Sequence, residues 1–169
     1  SRERSITSQQ TTVSNVLDQI FSFATSTRGE ELTFLVVLEE AQFYAPERIV
    51  TYGDPYKTGS LDAVTACLSQ LGGFNVGFIV MTQRPAYVSK SVLSQCNTVL
   101  SFRLMSSADH EQIAGVTGYS QYKVSSLLSG LEDHVGYLIG MGSPFGFPTF
   151  IQTLPDRLYP RKATKTPSE

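Results

Sequence analysis

The feature that most constrains this chain is a run of five apolar residues, Phe34-Leu35-Val36-Val37-Leu38, that stops abruptly at two acids, Glu39-Glu40. A continuous apolar run of this length lacks the two-residue alternation of a half-exposed strand. It reads as a strand buried on both faces, as in a parallel sheet covered by helices. A second run of the same kind, Val76-Gly77-Phe78-Ile79-Val80-Met81, ends at Thr82-Gln83-Arg84-Pro85. Between the two, Leu61, Val64, Cys67, Leu68 and Leu71 recur at helical spacing, which predicts a helix over 60–71, broken by Gly72-Gly73. Ahead of the first strand, Val13, Val16, Leu17, Ile20, Phe21 and Ala24 predict an amphipathic helix over about 8–26.

The alternation continues downstream. Residues 88–96 read as a short helix, 98–104 as a third strand, and Ser106 or Ser107 as the cap of a helix whose first turn carries Asp109 and Glu111. Residues 119–131 read as a further helix. Residues 134–141 and 147–153 read as two strands in a hairpin around Gly142-Ser143-Pro144-Phe145-Gly146. The expected fold class is α/β: a mostly parallel sheet flanked by helices, with an antiparallel C-terminal extension. Residues 1–154 form the expected domain, and 155–169 read as a solvated tail.

Composition narrows the function classes. With 41% hydrophobic and 17% charged residues, a chain of 169 residues can bury one apolar core. A formal net charge of -2 argues against a surface that is basic throughout, while leaving room for a local basic patch. Cys67 and Cys96 provide neither a disulfide framework nor a zinc spacing and read as small buried hydrophobes in a reducing compartment. Ser1-Arg2-Glu3-Arg4-Ser5 is not a signal peptide, and no apolar run approaches the roughly 20 residues of a membrane helix, so a soluble cytoplasmic protein is expected.

In open α/β sheets ligands bind beyond the carboxyl ends of the strands, where both polar clusters of this chain lie. An apolar strand followed by paired acids is the Walker B arrangement of ATPases. Glu39 would hold a magnesium ion through water, and Glu40 would orient and deprotonate the water that attacks the γ-phosphate of ATP. At the end of the neighbouring strand, the Gln83 amide can hydrogen-bond that phosphate or that water, and the Arg84 fork suits a phosphate or a carboxylate. Either cluster alone is also compatible with a strand that simply ends. The sequence contains no Gly-x-x-x-x-Gly-Lys-Ser/Thr; the nearest stretch, Gly53-Asp54-Pro55-Tyr56-Lys57-Thr58, lacks the second glycine and reads as a surface loop. A working site therefore needs a phosphate-binding loop from an upstream segment or from another chain.

Several blocks, in order, resemble the HerA/FtsK-type motor ATPases. Leu38-Glu39-Glu40-Ala41-Gln42-Phe43-Tyr44-Ala45-Pro46-Glu47 is similar to the HerA-type Walker B segment. Thr82-Gln83-Arg84-Pro85 resembles the sensor strand, and Val92-Leu93-Ser94-Gln95-Cys96-Asn97-Thr98 the segment after it. Phe102-Arg103-Leu104, Ser107-Ala108-Asp109 and Gly136-Tyr137-Leu138-Ile139-Gly140 resemble later elements of the same domain. The resemblance spans about residues 32–150. It implies a RecA-like fold and a homo-hexameric ring that translocates double-stranded DNA with ATP and Mg2+, beside a nuclease or defence effector and away from membranes. It further implies Glu40 and Gln83 as catalytic residues, Glu39 at the metal, and Arg84 or Arg103 as nucleotide contacts.

The chain departs from the family pattern at two places besides the missing loop. The first Walker B acid is Glu39 instead of Asp. Gly72-Gly73-Phe74-Asn75 occupies the place of the usual Gly-Arg-Lys, whose arginine reaches a neighbouring subunit. That absence supports an alternative, a non-catalytic RecA-like assembly subunit; a conjugation or secretion motor is a third. His110 and His134 read as surface or loop residues, Tyr44, Tyr52 and Tyr56 as loop packing, and Lys57, Lys90 and Lys123 as ordinary surface lysines.

Overall fold

A computed structural model describes residues 2–28, 34–47 and 59–154. Helix α1 spans Arg2–Ser26, strand β1 Phe34–Leu38, helix α2 Gly59–Gln70 and strand β2 Val76–Val80. A single-turn helix α3 covers Lys90–Leu93, and strand β3 covers Thr98–Ser101. Helices α4 (Ser107–Thr117) and α5 (Gln121–Ser129) then lead to strands β4 (Val135–Gly140) and β5 (Thr149–Gln152). Short 3-10 turns follow three of these elements, at Ala41–Phe43, Leu71–Phe74 and Pro85–Tyr87.

The α/β class stands, but the strands divide into two sheets. β1 and β2 pair in parallel, Phe34 opposite Val76 through Leu38 opposite Val80. β3, β4 and β5 form an antiparallel sheet, with the hairpin between β4 and β5 where the sequence places it. The third strand stops at Ser101, short of the expected residue 104, and pairs with β4, not β2. Of the helix expected over 88–96, only Lys90–Leu93 forms; the final long helix starts at Gln121, capped by the Ser120 side chain, which accepts from Lys123 N–H. The stretch 48–58, with Tyr52, Tyr56 and Lys57, and the tail 155–169 lie outside the described residues.

Each sheet has its own core. Leu17 and Ala24 of α1 meet Leu61, Val64 and Cys67 of α2, together with Leu38, Val76, Val88 and Val92. The second core joins Ile113 and Ala114 of α4, Val124 and Leu128 of α5, and Tyr137 and Ile139 of β4. The Cys67 thiol contacts the Leu17 carbonyl, and burial, with a lesser push from Asp18, raises its pKa to about 11. Its role is packing. Cys96 is half-buried, and desolvation raises its pKa too.

The parallel pair is not buried on both faces. Helices α1 and α2 pack on one side, while Leu35, Val37 and Ile79, at 65%, 51% and 43% exposure, line the other. The antiparallel sheet repeats this: Leu100 and Phe102 are exposed opposite the face that packs on α4 and α5. The apolar runs are those of doubly covered strands, but the described residues cover one face only. His110, expected at the surface, is instead 3% exposed, its Nε2 hydrogen-bonded to the Leu104 carbonyl at 2.7 Å.

Gly140 closes β4 with φ +103, a conformation side chains resist, and a Cβ there would run into the Asn97 carbonyl oxygen. That carbonyl already accepts Met141 N–H at 2.9 Å, so it cannot move aside freely. Gly140→Ala is expected to destabilise the fold by about 2 kcal/mol or more, measured by urea unfolding, whereas Gly115→Ala, on an open helical surface with nothing near its Cβ, is expected to be neutral or stabilising.

Candidate functional site

The register of β1 and β2 dictates where their polar tips lie. With Leu38 opposite Val80, the next residues on each strand leave the sheet side by side. Met81 N–H donates to the Leu38 carbonyl at 2.8 Å, and Ala41 N–H donates to the Met81 carbonyl at 2.9 Å, carrying the ladder around the turn. Between those bonds, Glu40 adopts the left-handed conformation, φ 53 and ψ 49. A residue with a Cβ is disfavoured there, and such outliers gather at functional sites where the surroundings over-determine them.

Four side chains form a connected network at these tips. Gln83 Nε2 donates to Glu40 Oε1 at 2.9 Å, and Gln42 Nε2 donates to Glu40 Oε2 at 2.7 Å. The Thr82 hydroxyl donates to Gln42 Oε1 at 2.7 Å and accepts Arg84 N–H at 3.1 Å. The direction of this chain of bonds follows from the Glu40 carboxylate, which only accepts: Gln42 turns its NH2 to Glu40 and so leaves its carbonyl oxygen to the Thr82 hydroxyl proton. Both Glu40 oxygens thus accept from neutral amides. The carboxylate is half-buried while Gln83 is exposed, so the network is open to a ligand from solvent. Gln10 of α1 adds support from behind, donating to the Phe43 carbonyl at 2.7 Å.

The structure therefore joins Glu40 and Gln83 directly, as the strand-end argument expects. Glu39 is exposed beside them, and its carboxylate makes no hydrogen bond or ion pair among the described residues. Such a free, solvent-facing carboxylate can hold a hard divalent cation through water. Arg84 lies next in the chain, but its side chain turns to a carboxylate: Nε is 3.4 Å from Asp109 Oδ2, and the guanidinium lies 4.6 Å from the centre of the Tyr87 ring. Arg103 stands at the end of β3 and pairs with Asp133 at 2.8 Å, outside the Glu40–Gln83 network. The sequence alone does not single out Gln42 as a partner of Glu40, nor Asp109 as the partner of Arg84. Only the position of Gln42, two residues after Glu40 in a tight turn, hints at its part.

No family model matches the sequence, and the search of curated proteins finds no matching relative. Solved structures do match. The genome-packaging NTPase B204 of Sulfolobus turreted icosahedral virus 2, in complex with AMPPCP, aligns at TM-score 0.59 and 13% identity over 83% of this chain and 62% of that one. The same NTPase with ATP-gammaS aligns at TM-score 0.56 and 13% identity over 82% of this chain and 62% of that one. Its complex with AMP aligns at TM-score 0.51 and 16% identity over 73% and 54%. The fold is thus that of P-loop NTPases, and the chain spans little more than half the length of these neighbours.

The left-handed Glu40 yields a stability test in which both variants remove the same carboxylate. Glu40→Gly is expected to be more stable than Glu40→Ala by about 1 kcal/mol, because only glycine occupies this conformation without steric penalty. Equal midpoints in chemical denaturation would show that the backbone at residue 40 carries no strain.

Proposed function

We propose that this chain is the hydrolytic half of an ATP-driven motor subunit that translocates double-stranded DNA. The observation that carries the reading is the Glu40–Gln83 hydrogen bond at the carboxyl ends of two parallel strands. A carboxylate and an uncharged amide converge there on one point open to solvent, an arrangement suited to a terminal phosphate and the water attacking it. The likeness of fold to NTPases solved with ATP analogues supports the same nucleotide here.

In this mechanism Glu40 accepts a proton from the water as its oxygen attacks the γ-phosphorus, and the bond to the β-phosphate oxygen breaks to leave ADP and phosphate. Gln83 exchanges its bond to Glu40 for one to the γ-phosphate, which frees one carboxylate oxygen for the water. Gln42, anchored by Thr82, keeps the other oxygen fixed so that the freed one faces the phosphate. Glu39 is the residue suited to a magnesium ion, which when bound would neutralise phosphate charge. The Arg84 guanidinium, held by Asp109, serves to brace the Gln83 turn; a nucleotide contact by Arg84 or Arg103 would need its present ion pair to open.

The sequence carries no phosphate-binding loop, so that element must come from a further segment of the polypeptide or from another chain. The uncovered apolar face at Leu35, Val37 and Ile79 supports this, since an added strand-and-helix unit would bury it. The HerA/FtsK resemblance extends the proposal to a homo-hexameric ring in the cytoplasm, working with a nuclease or defence effector. No helix among the described residues is long and apolar enough to cross a membrane.

A second reading, a non-catalytic assembly subunit, is favoured by the turn Leu71–Phe74. Gly72 and Gly73 lie exposed there, with no arginine to offer a neighbour. Steady-state ATP hydrolysis separates the two. In the assembly that contains the phosphate-binding loop, Glu40→Gln is expected to lower DNA-stimulated turnover about 100-fold or more while nucleotide still binds. Unchanged turnover would remove Glu40 from the chemistry and favour the assembly role.

A further inference from the structure

Asp109 is the most deeply buried carboxylate among the described residues, at 2% exposure, and the hydrolytic reading uses it only as the partner of Arg84. It occupies the third position of α4, after the cap residue Ser106. An acid there ordinarily reaches back to the cap residue's own N–H. Asp109 does otherwise. Its Oδ1 accepts Ala86 N–H at 2.9 Å, and its Oδ2 faces Arg84 Nε at 3.4 Å. Both bonds lead to the turn after Gln83. One helical turn on, Gln112, also buried, donates to the Val88 carbonyl at 3.2 Å. Helix α4 thus grips the chain from residue 84 to 88 at three points, while its apolar side packs in the core of the antiparallel sheet.

We propose that Asp109 is a positioning residue for Gln83. It fixes Ala86 and Arg84 so that the preceding residue presents its amide to Glu40, and it thereby links the antiparallel sheet mechanically to the site at the ends of the parallel pair. The chemistry favours a carboxylate here. A buried carboxylate is stable only when paired and hydrogen-bonded, so its bonds are strict in geometry and define one arrangement of the turn. The half-exposed Arg84, with Tyr87 beneath it, supplies the charge. Through this contact, a displacement of α4 by a neighbouring subunit or by DNA would move Gln83 relative to Glu40. The functional meaning of the link rests on the hydrolytic reading above; the positioning itself does not.

The test is accordingly structural. In folded protein, the side-chain NH2 resonances of Gln83 are followed by NMR in Asp109→Asn, in Arg84→Met and in a remote control, Lys123→Met. Asp109→Asn is expected to shift the Gln83 resonances well beyond the control and to weaken their contacts with Glu40; Arg84→Met is expected to do so to a lesser degree, since it removes one of the two bonds. Asp109→Glu is not expected to restore them, because the longer side chain does not fit the same buried site. Should Asp109→Asn prevent folding, Arg84→Met decides the matter alone, as its side chain is half-exposed. Gln83 resonances unmoved in the folded variants, even with a lowered melting temperature, would make Asp109 a structural anchor only and overturn the proposal. These readouts need no hydrolysis, so they stand or fall separately from the Glu40→Gln turnover test.

Discussion

The parallel pairing of β1 with β2 is the constraint on which the site depends. Parallel strands present the same ends to the same side, so a register that sets Leu38 against Val80 also sets Glu40 within reach of Gln83. Slipping that register by one residue would invert the faces of the strand and separate the two side chains. The two bonds around the turn, through Met81 and Ala41, prevent the slip, and they hold Glu40 in a conformation that its Cβ resists. The same local geometry sets the register and aims the carboxylate.

Around this pair the molecule is built as two cores joined by one helix. α1 and α2 bury the inner face of the parallel pair, and α4 and α5 bury that of the antiparallel sheet. Helix α4 bonds to the turn behind Gln83 through Asp109 and Gln112, beside the bond from Glu47 N–H to the Tyr87 carbonyl. A helix that belongs to one core thus contacts the turn after Gln83 in the other, which is the link proposed above. The opposite face of each sheet stays open among the described residues, with Leu35 and Val37 exposed on one and Leu100 and Phe102 on the other.

Much of this is legible in the chain, for identifiable reasons. The apolar runs of β1 and β2 locate the strands because length and β-branched content suffice for that, and the acids and amides at their ends locate the site because α/β sheets bind ligands there. The helical stripe of α2 is equally plain, since Leu61, Val64, Cys67 and Leu71 turn inward together. What escapes is tertiary. No local pattern distinguishes a third strand that joins β2 from one that pairs antiparallel with β4, because that choice depends on contacts far apart in sequence. His110 looks like a surface residue until Leu104 supplies its partner. Asp109 reads as an ordinary helix-start acid, because its real partners lie 23 and 25 residues away in the chain, at Ala86 and Arg84. The placement of Arg84 shows the same limit: its fork suits phosphate and carboxylate alike, and only the fold reveals which one faces it.

The central claim is that Glu40 and Gln83 meet at the terminal phosphate of ATP. The most direct measurement is a crystal structure of the assembly that includes the phosphate-binding loop, with a non-hydrolysable ATP analogue and Mg2+. The account predicts Gln83 Nε2 within about 3 Å of a γ-phosphate oxygen, and a Glu40 oxygen at a similar distance from a water in line with the bond to be broken. A γ-phosphate bound away from both side chains, with the Glu40–Gln83 bond still intact, would contradict it.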